Sequence, residues 1–128
     1  MENKFYFCLS LHFKSDFDVA SLQDTLGITA TKLTPLAMSK GPKENASAKF
    51  YYKTQEFCEI YSDEIFAKFV EKLSDKADVI SEILENNNGE CNISIVFTEL
   101  NGKPMLSLDN KTINLLSALH ANFDVDFI

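Results

Sequence analysis

The sequence predicts an α+β fold: a single mainly antiparallel sheet with helices packed on one face, in the order β-α-β-β-α-α-β-β-α-β. Three observations carry this reading. The opening run KFYFCLSLHF alternates strictly, with Phe5, Phe7, Leu9, Leu11 and Phe13 on one side and Tyr6, Cys8, Ser10 and His12 on the other. The middle of the chain, from Ser62 to about Glu85, repeats its apolar residues at helical rather than alternating spacing. Near the C-terminus, two strand-like runs flank Asn101–Gly102, the pair preferred in a two-residue type I′ hairpin turn. Strands with one apolar face and helices with one apolar stripe bury both by stacking as two layers.

The elements follow in order. After the first strand, SDFDVASLQDTLG reads as a short helix with Asp18 as N-cap, Phe17 placed to staple onto Leu22, and Gly27 at the left-handed position that ends it. Pro35, Gly41, Pro42 and Asn45 mark a loop behind a short edge strand at Thr31–Thr34. An extended pattern resumes from Lys49 to Thr54. Ser62 caps a helix with Asp63 and Glu64 in its first turn and a stripe of Ile65, Phe66, Phe69, Val70 and Leu73. A break near Ser74–Asp75 is expected, with one long helix as the alternative, before a second stripe of Ala77, Ile80, Ile83 and Leu84 that stops at ENNNG. Asp109 or Asn110 starts the last helix, through Ile113, Leu116 and Leu119, and NFDVDFI closes as a strand.

A chain of 128 residues, 45% apolar and 24% charged, is long enough for one core and too apolar to stay unfolded, so residues 1–128 are read as a single domain. No stretch has the roughly 18 apolar residues of a membrane span, and MENKFYF lacks the basic and apolar regions of a signal peptide. The expected location is the cytoplasm, with no membrane partner. Cys8, Cys58 and Cys91 have neither a disulfide nor a zinc spacing and read as small buried hydrophobes. The charge is uneven: residues 1–55 carry seven lysines against five acids, residues 56–128 five lysines against fourteen acids, and the net is −7. There is no arginine. An acidic chain without guanidinium forks lacks the usual means of gripping phosphate backbones, so nucleic acid is excluded as a partner. No GxSxG, GxxxxGK[ST], GxGxxG, HExxH or CxxC occurs, no cofactor is implied, and the chain is not read as an enzyme.

Two surface features remain. Asp124 and Asp126 alternate with Phe123, Val125 and Phe127, so in a strand they lie on one side, roughly 7 Å apart, opposite the apolar residues. That spacing fits a divalent cation or an acid/base pair, with His12 as a further contributor, and it equally fits the wet face of a strand. From Glu56 to Glu90 the chain holds ten acids and three lysines. Within it, Tyr61, Glu64, Glu71, Asp75, Asp78, Glu82 and Glu85 are the candidate partner-binding residues, with Tyr51, Tyr52 and Phe57 as neighbouring aromatic anchors.

Three segments together resemble a bacterial family catalogued as a domain of unknown function, the DUF 4279 family. DFDVASLQDTLGITAT is similar to its Asp-Phe-Asp, helix, Leu-Gly-Ile pattern. PMLSLDNKTINLLSALHA is similar to its strand, acidic cap and Leu-Ala-rich helix, and NFDVDFI to its closing strand. The family's central loop carries a Gly-Asp, an Arg and then a Trp; the loop here, SKGPKENASAKFYY, has neither Arg nor Trp. The resemblance implies a fold and no activity. From size, acidity and absent catalytic motifs, the expected function is that of a small binding protein: an immunity protein that occludes a basic bacterial toxin, such as a nuclease. The alternative is a metal- or small-ligand-binding domain or an enzyme built on Asp124 and Asp126.

Overall fold

The computed structural model describes residues 3–39, 41, 46–58, 62–102 and 108–128. Their strands are β1 (Lys4–Phe13), β2 (Lys32–Thr34), β3 (Ala48–Lys53), β4 (Phe57–Cys58), β5 (Gly89–Glu99) and β6 (Asn122–Phe127). The helices are α1 (Leu22–Leu26, entered through a 3-10 turn at Val19–Ser21), α2 (Ser62–Ser74), α3 (Ala77–Asn86) and α4 (Asn110–Ala118). The strands form one sheet in the order β2-β3-β1-β5-β6, antiparallel except for the parallel pair β5–β6. A parallel neighbour needs a crossover, and α4 lies in the connection that provides it. The α+β reading of one mainly antiparallel sheet holds, with β5–β6 as its parallel pair.

β1 is the middle strand. Its whole length pairs with β5, from Lys4 opposite Glu99 to Phe13 opposite Gly89. Its other edge is shared: β3 pairs with Cys8–Phe13 and β4 with Lys4–Phe5. Thr54 bridges the gap, its amide donating to the Phe7 carbonyl at 2.9 Å and its hydroxyl accepting from the Phe7 amide at 3.0 Å. The sequence pattern did not separate β4 from β3, because a two-residue strand has too few alternations to register.

The apolar face of β1 is the dry one. Phe5, Phe7, Leu9, Leu11 and Phe13 are all buried, in one cluster with Phe50 of β3 and Cys91, Ile93, Ile95 and Phe97 of β5. The helices close over it with Leu22 and Leu26, with Phe66, Phe69, Val70 and Leu73, with Ile80 and Leu84, and with Leu115 and Leu119. Phe7 sits under α2, 4.6 Å from the Phe66 ring and stacked at 5.9 Å on Phe69. The expected staple residue Phe17 stacks on Phe13 at 4.5 Å.

The helix ends follow the sequence signals. The Asp18 side chain accepts from the Ala20 amide, and Gly27 takes φ 66°. The Asp109 carboxylate accepts from both the amide and the hydroxyl of Thr112 at 2.8 Å, which holds its pKa below the usual carboxylate range. At ENNNG, the Asn87 side chain donates to the Ile83 carbonyl at 2.9 Å and Asn88 adopts φ 53°. The break between α2 and α3 falls at Asp75–Lys76, as the spacing predicts.

Two expectations are corrected. On α4 the buried residues are Thr112 and Leu115, joined by Leu119 just beyond its end, while Ile113 faces solvent. The Asn101–Gly102 pair is not a type I′ turn. That turn needs positive φ at both residues. Gly102 has φ 132°, but the described non-glycine residues with positive φ are Asn88 and His120, not Asn101. Instead the Asn101 amide donates to the side chain of buried Asn3 at 2.6 Å. Both edges of β5 from Asn92 to Phe97 are occupied, by β1 and β6, and residues 103–107 of the second run lie outside the described residues.

One glycine tests this register. A Cβ on Gly89 would meet Leu84 Cδ2 at 2.7 Å and Phe13 Cδ1 at 2.8 Å. Gly89→Ala should therefore destabilise the fold by about 1–3 kcal/mol in urea melts. A neutral result would contradict the placement of Gly89 against Phe13.

Candidate functional site

The acidic helical layer is a direct consequence of the core. α2 and α3 turn Phe66, Phe69, Val70, Leu73, Ile80 and Leu84 inward, so the residues between them must face out. Glu64, Glu71, Asp75, Asp78, Glu82 and Glu85 are all exposed, as are Lys68, Lys72 and Lys76. Lys68 pairs with Glu64 at 3.3 Å, the i,i+4 contact the spacing predicts. Exposed Val79 lies beside Asp78 in the chain and four residues from Asp75. Tyr61, one of the expected aromatic anchors, lies outside the described residues.

The other expected anchors belong to the fold. Tyr52 stacks on Phe69 at 6.4 Å, and Phe57 sits 6.3 Å from Phe7. Tyr51 is on the opposite side of the sheet, its hydroxyl 3.2 Å from Cys8 Sγ. Proximity in sequence to the acidic run misplaced it, because neighbours on a strand point to opposite faces.

Asp124 and Asp126 share the open face of β6, opposite Ser94 and Val96 of β5, and both are exposed. Cys8 stands across from Ser94 on β1, and His12 is four residues further along, in register with Glu90. His12 is therefore about 13 Å along the strands from the Asp124 row and two strands away. It does not converge on the aspartates. Among the described residues, no group of three or more His, Cys, Asp or Glu is placed to hold a metal ion.

The open face contains a feature that the sequence reading missed. Strand β2 is followed by a single 3-10 turn, Leu36–Met38, bounded by Pro35 and Ser39. Between this segment and the sheet lies a cleft of about 500 Å³. Its polar floor comprises two cross-strand rows: Thr34, Lys49 and His12, then Lys32, Tyr51 and Ser10. These residues come from β1, β2 and β3 and are far apart in sequence, so only the alternation of each strand hinted at a shared side. Pro35, Met38 and Ser39 form the far wall.

The ionisable groups here are set by burial. Half-buried His12 has its pKa lowered, first by desolvation and then by Lys49 and Lys14, with Glu90 opposing. The Tyr51 phenol is pushed well up by burial and by its bond to Cys8, and the Tyr6 phenol is raised mainly by burial. On the helix side of the sheet, burial pushes the Cys91 thiol up to about 12, so it stays protonated.

A family model described as "Domain of unknown function (DUF4279)" matches residues 3–128. The chain belongs to this family. Neither a curated protein nor a solved structure matches it. The match spans the three segments noted in the sequence, and its description names no activity. No helix among the described residues is long and apolar enough to cross a membrane.

Two outcomes test this geometry. Replacing Asp124 and Asp126 together by Asn should change stability by less than about 1 kcal/mol, and millimolar magnesium, manganese or calcium should leave the melting temperature unmoved. A clear metal-dependent rise would restore the pair as a cation site. For His12, the folded chain protonates less readily than the unfolded one, so the unfolded state takes up more protons below the ordinary histidine value of 6.5. The contribution of this residue to stability is present above that value and lost as pH falls through it. His12→Gln should flatten the pH dependence of urea midpoints in that window, and an unchanged slope would contradict it.

Proposed function

We propose that this chain is a small binding protein that captures a basic protein partner on its acidic helical layer, acting as an immunity protein acts on a toxin. The observation that supports this reading is the set of six carboxylates, Glu64, Glu71, Asp75, Asp78, Glu82 and Glu85, held outward on two consecutive helices. Their apolar stripes are fixed in the core, so the layer is a rigid surface that binding need not first order. Net negative charge on a face packed in place steers an oppositely charged partner into encounter. Burial of apolar groups near the face, with exposed Val79 as one contact, then slows dissociation. Neutralisation on this reading is occlusion: the partner's cationic working surface is covered and no bond is made or broken.

The test is co-expression with a basic, toxin-like protein encoded beside this chain, scored for cell survival and for binding kinetics. Protection is expected, with an association rate that falls about tenfold or more as salt rises from low to molar concentrations. Reversal of Glu71, Asp75, Asp78 and Glu82 to Lys should lower the association rate by a similar factor and leave dissociation nearly unchanged. Absence of both protection and binding would refute the proposal, whereas binding indifferent to salt and to the four reversals would move the interface elsewhere.

A further inference from the structure

The cleft on the open face lies on the other side of the sheet from the acidic helices, and its composition is unlike that of the rest of the molecule. The chain holds 19 acids against 12 lysines, yet among the described residues no Asp or Glu lines this cleft. Lys32 and Lys49 both line it, and the ion pairs among the described residues, Lys4–Glu99 and Lys68–Glu64, use neither. His12 stands beside Lys49 in register, and Ser10 and Tyr51 add hydroxyls to the floor. Positive charge and hydrogen-bond donors therefore converge where the described lining holds no carboxylate. Glu90, opposite His12 on β5, is the nearest acid in register and lies outside the lining.

We propose that this cleft binds a small phosphate-bearing molecule, with the phosphate on the floor and an apolar body against the Pro35–Met38 wall. A volume of about 500 Å³ suits a small organic ligand. Two ammonium groups offer more positive charge than one carboxylate can compensate, whereas a phosphate monoester carries close to two negative charges at neutral pH. Lysine binds phosphate as a point charge and needs no guanidinium fork, which fits a chain without arginine. Met38, 71% exposed at the lip, is an apolar group left in water until something covers it. Burial lowers the His12 pKa in the empty cleft, and a phosphate dianion beside the ring would act in the opposite direction by favouring the charged imidazolium.

Phenyl phosphate is the probe, with benzoate and phenol as comparison ligands at matched ionic strength, read by amide chemical-shift titration and by melting temperature. Phenyl phosphate should give saturable shifts at Ser10, His12, Lys49 and Tyr51, raise the melting temperature and move the His12 imidazole pKa upward. Benzoate should bind more weakly and phenol not measurably. Lys32→Gln and Lys49→Gln are surface changes whose folding is checked by their unliganded melting, and each should weaken binding about tenfold or more. Lys111→Gln, a control at an exposed lysine of α4, should not. The proposal is overturned if no saturable shift occurs up to about 10 mM. It is overturned equally if benzoate binds as tightly, or if Lys111→Gln weakens binding as much as the cleft variants, which would mark diffuse charge attraction.

Discussion

The ladder between β1 and β5 runs without a gap from Phe5 opposite Phe97 to Phe13 opposite Gly89. Every other element is placed by it. Because side chains alternate along a strand, this register puts Phe5, Phe7, Leu9, Leu11 and Phe13 on the same side as Cys91, Ile93, Ile95 and Phe97. A slip of one residue in either strand would turn a row of aromatic and aliphatic side chains into water, so burial enforces the pairing more strongly than the backbone bonds alone. β3 inherits the same constraint on the far edge of β1, where Phe50 joins the core opposite Leu11.

One dry face leaves the sheet with two unlike surfaces. The helices present their outward residues, mostly carboxylates and lysines, while the open face carries a narrow polar band. Along that band the lysines of β2 and β3 (Lys32, Lys49 and Lys53) lie toward one edge and Asp124 and Asp126 of β6 toward the other. Between them, Cys8 is buried although it belongs to the open side, because Tyr51 meets its sulfur at 3.2 Å and Tyr6, itself under Lys53, stands two residues along. The open face is therefore not uniformly wet. Its centre is a small packed cluster of ring and thiol groups, and its β2 side is a cleft.

The edge strand β6 shows where local reading and packing part company. Its alternation is as clean as that of β1, and Phe123 and the stacked pair Phe97–Phe127, 5.4 Å apart, confirm which side faces the helices. Yet Val125 and Phe127 are exposed, because an edge strand is covered by helices only where they reach it. Two strand-like runs around Asn-Gly are a strong local signal, but Asn101 does not take the positive φ of a type I′ turn, and from Asn92 to Phe97 both edges of β5 are held by β1 and β6.

What the sequence determined by itself was everything whose cause is local in the chain. Period-two alternation identified β1 and β6, helical spacing identified α2 and α3 with their break, and side-chain chemistry identified the caps at Asp18, Gly27, Asp109 and the ENNNG stop. The outward position of the acidic residues followed from the same spacing, since a helix with one buried stripe has only one other side. The tertiary structure alone decided which strands are neighbours, that β6 runs parallel to β5, that Tyr51 faces away from the acidic layer, and that Ser10, His12, Lys32, Lys49 and Tyr51 meet beneath the Pro35–Ser39 segment. The reason is physical: alternation says that a residue lies on one of two faces, but register and strand order, set by long-range burial, say which residues share that face and touch.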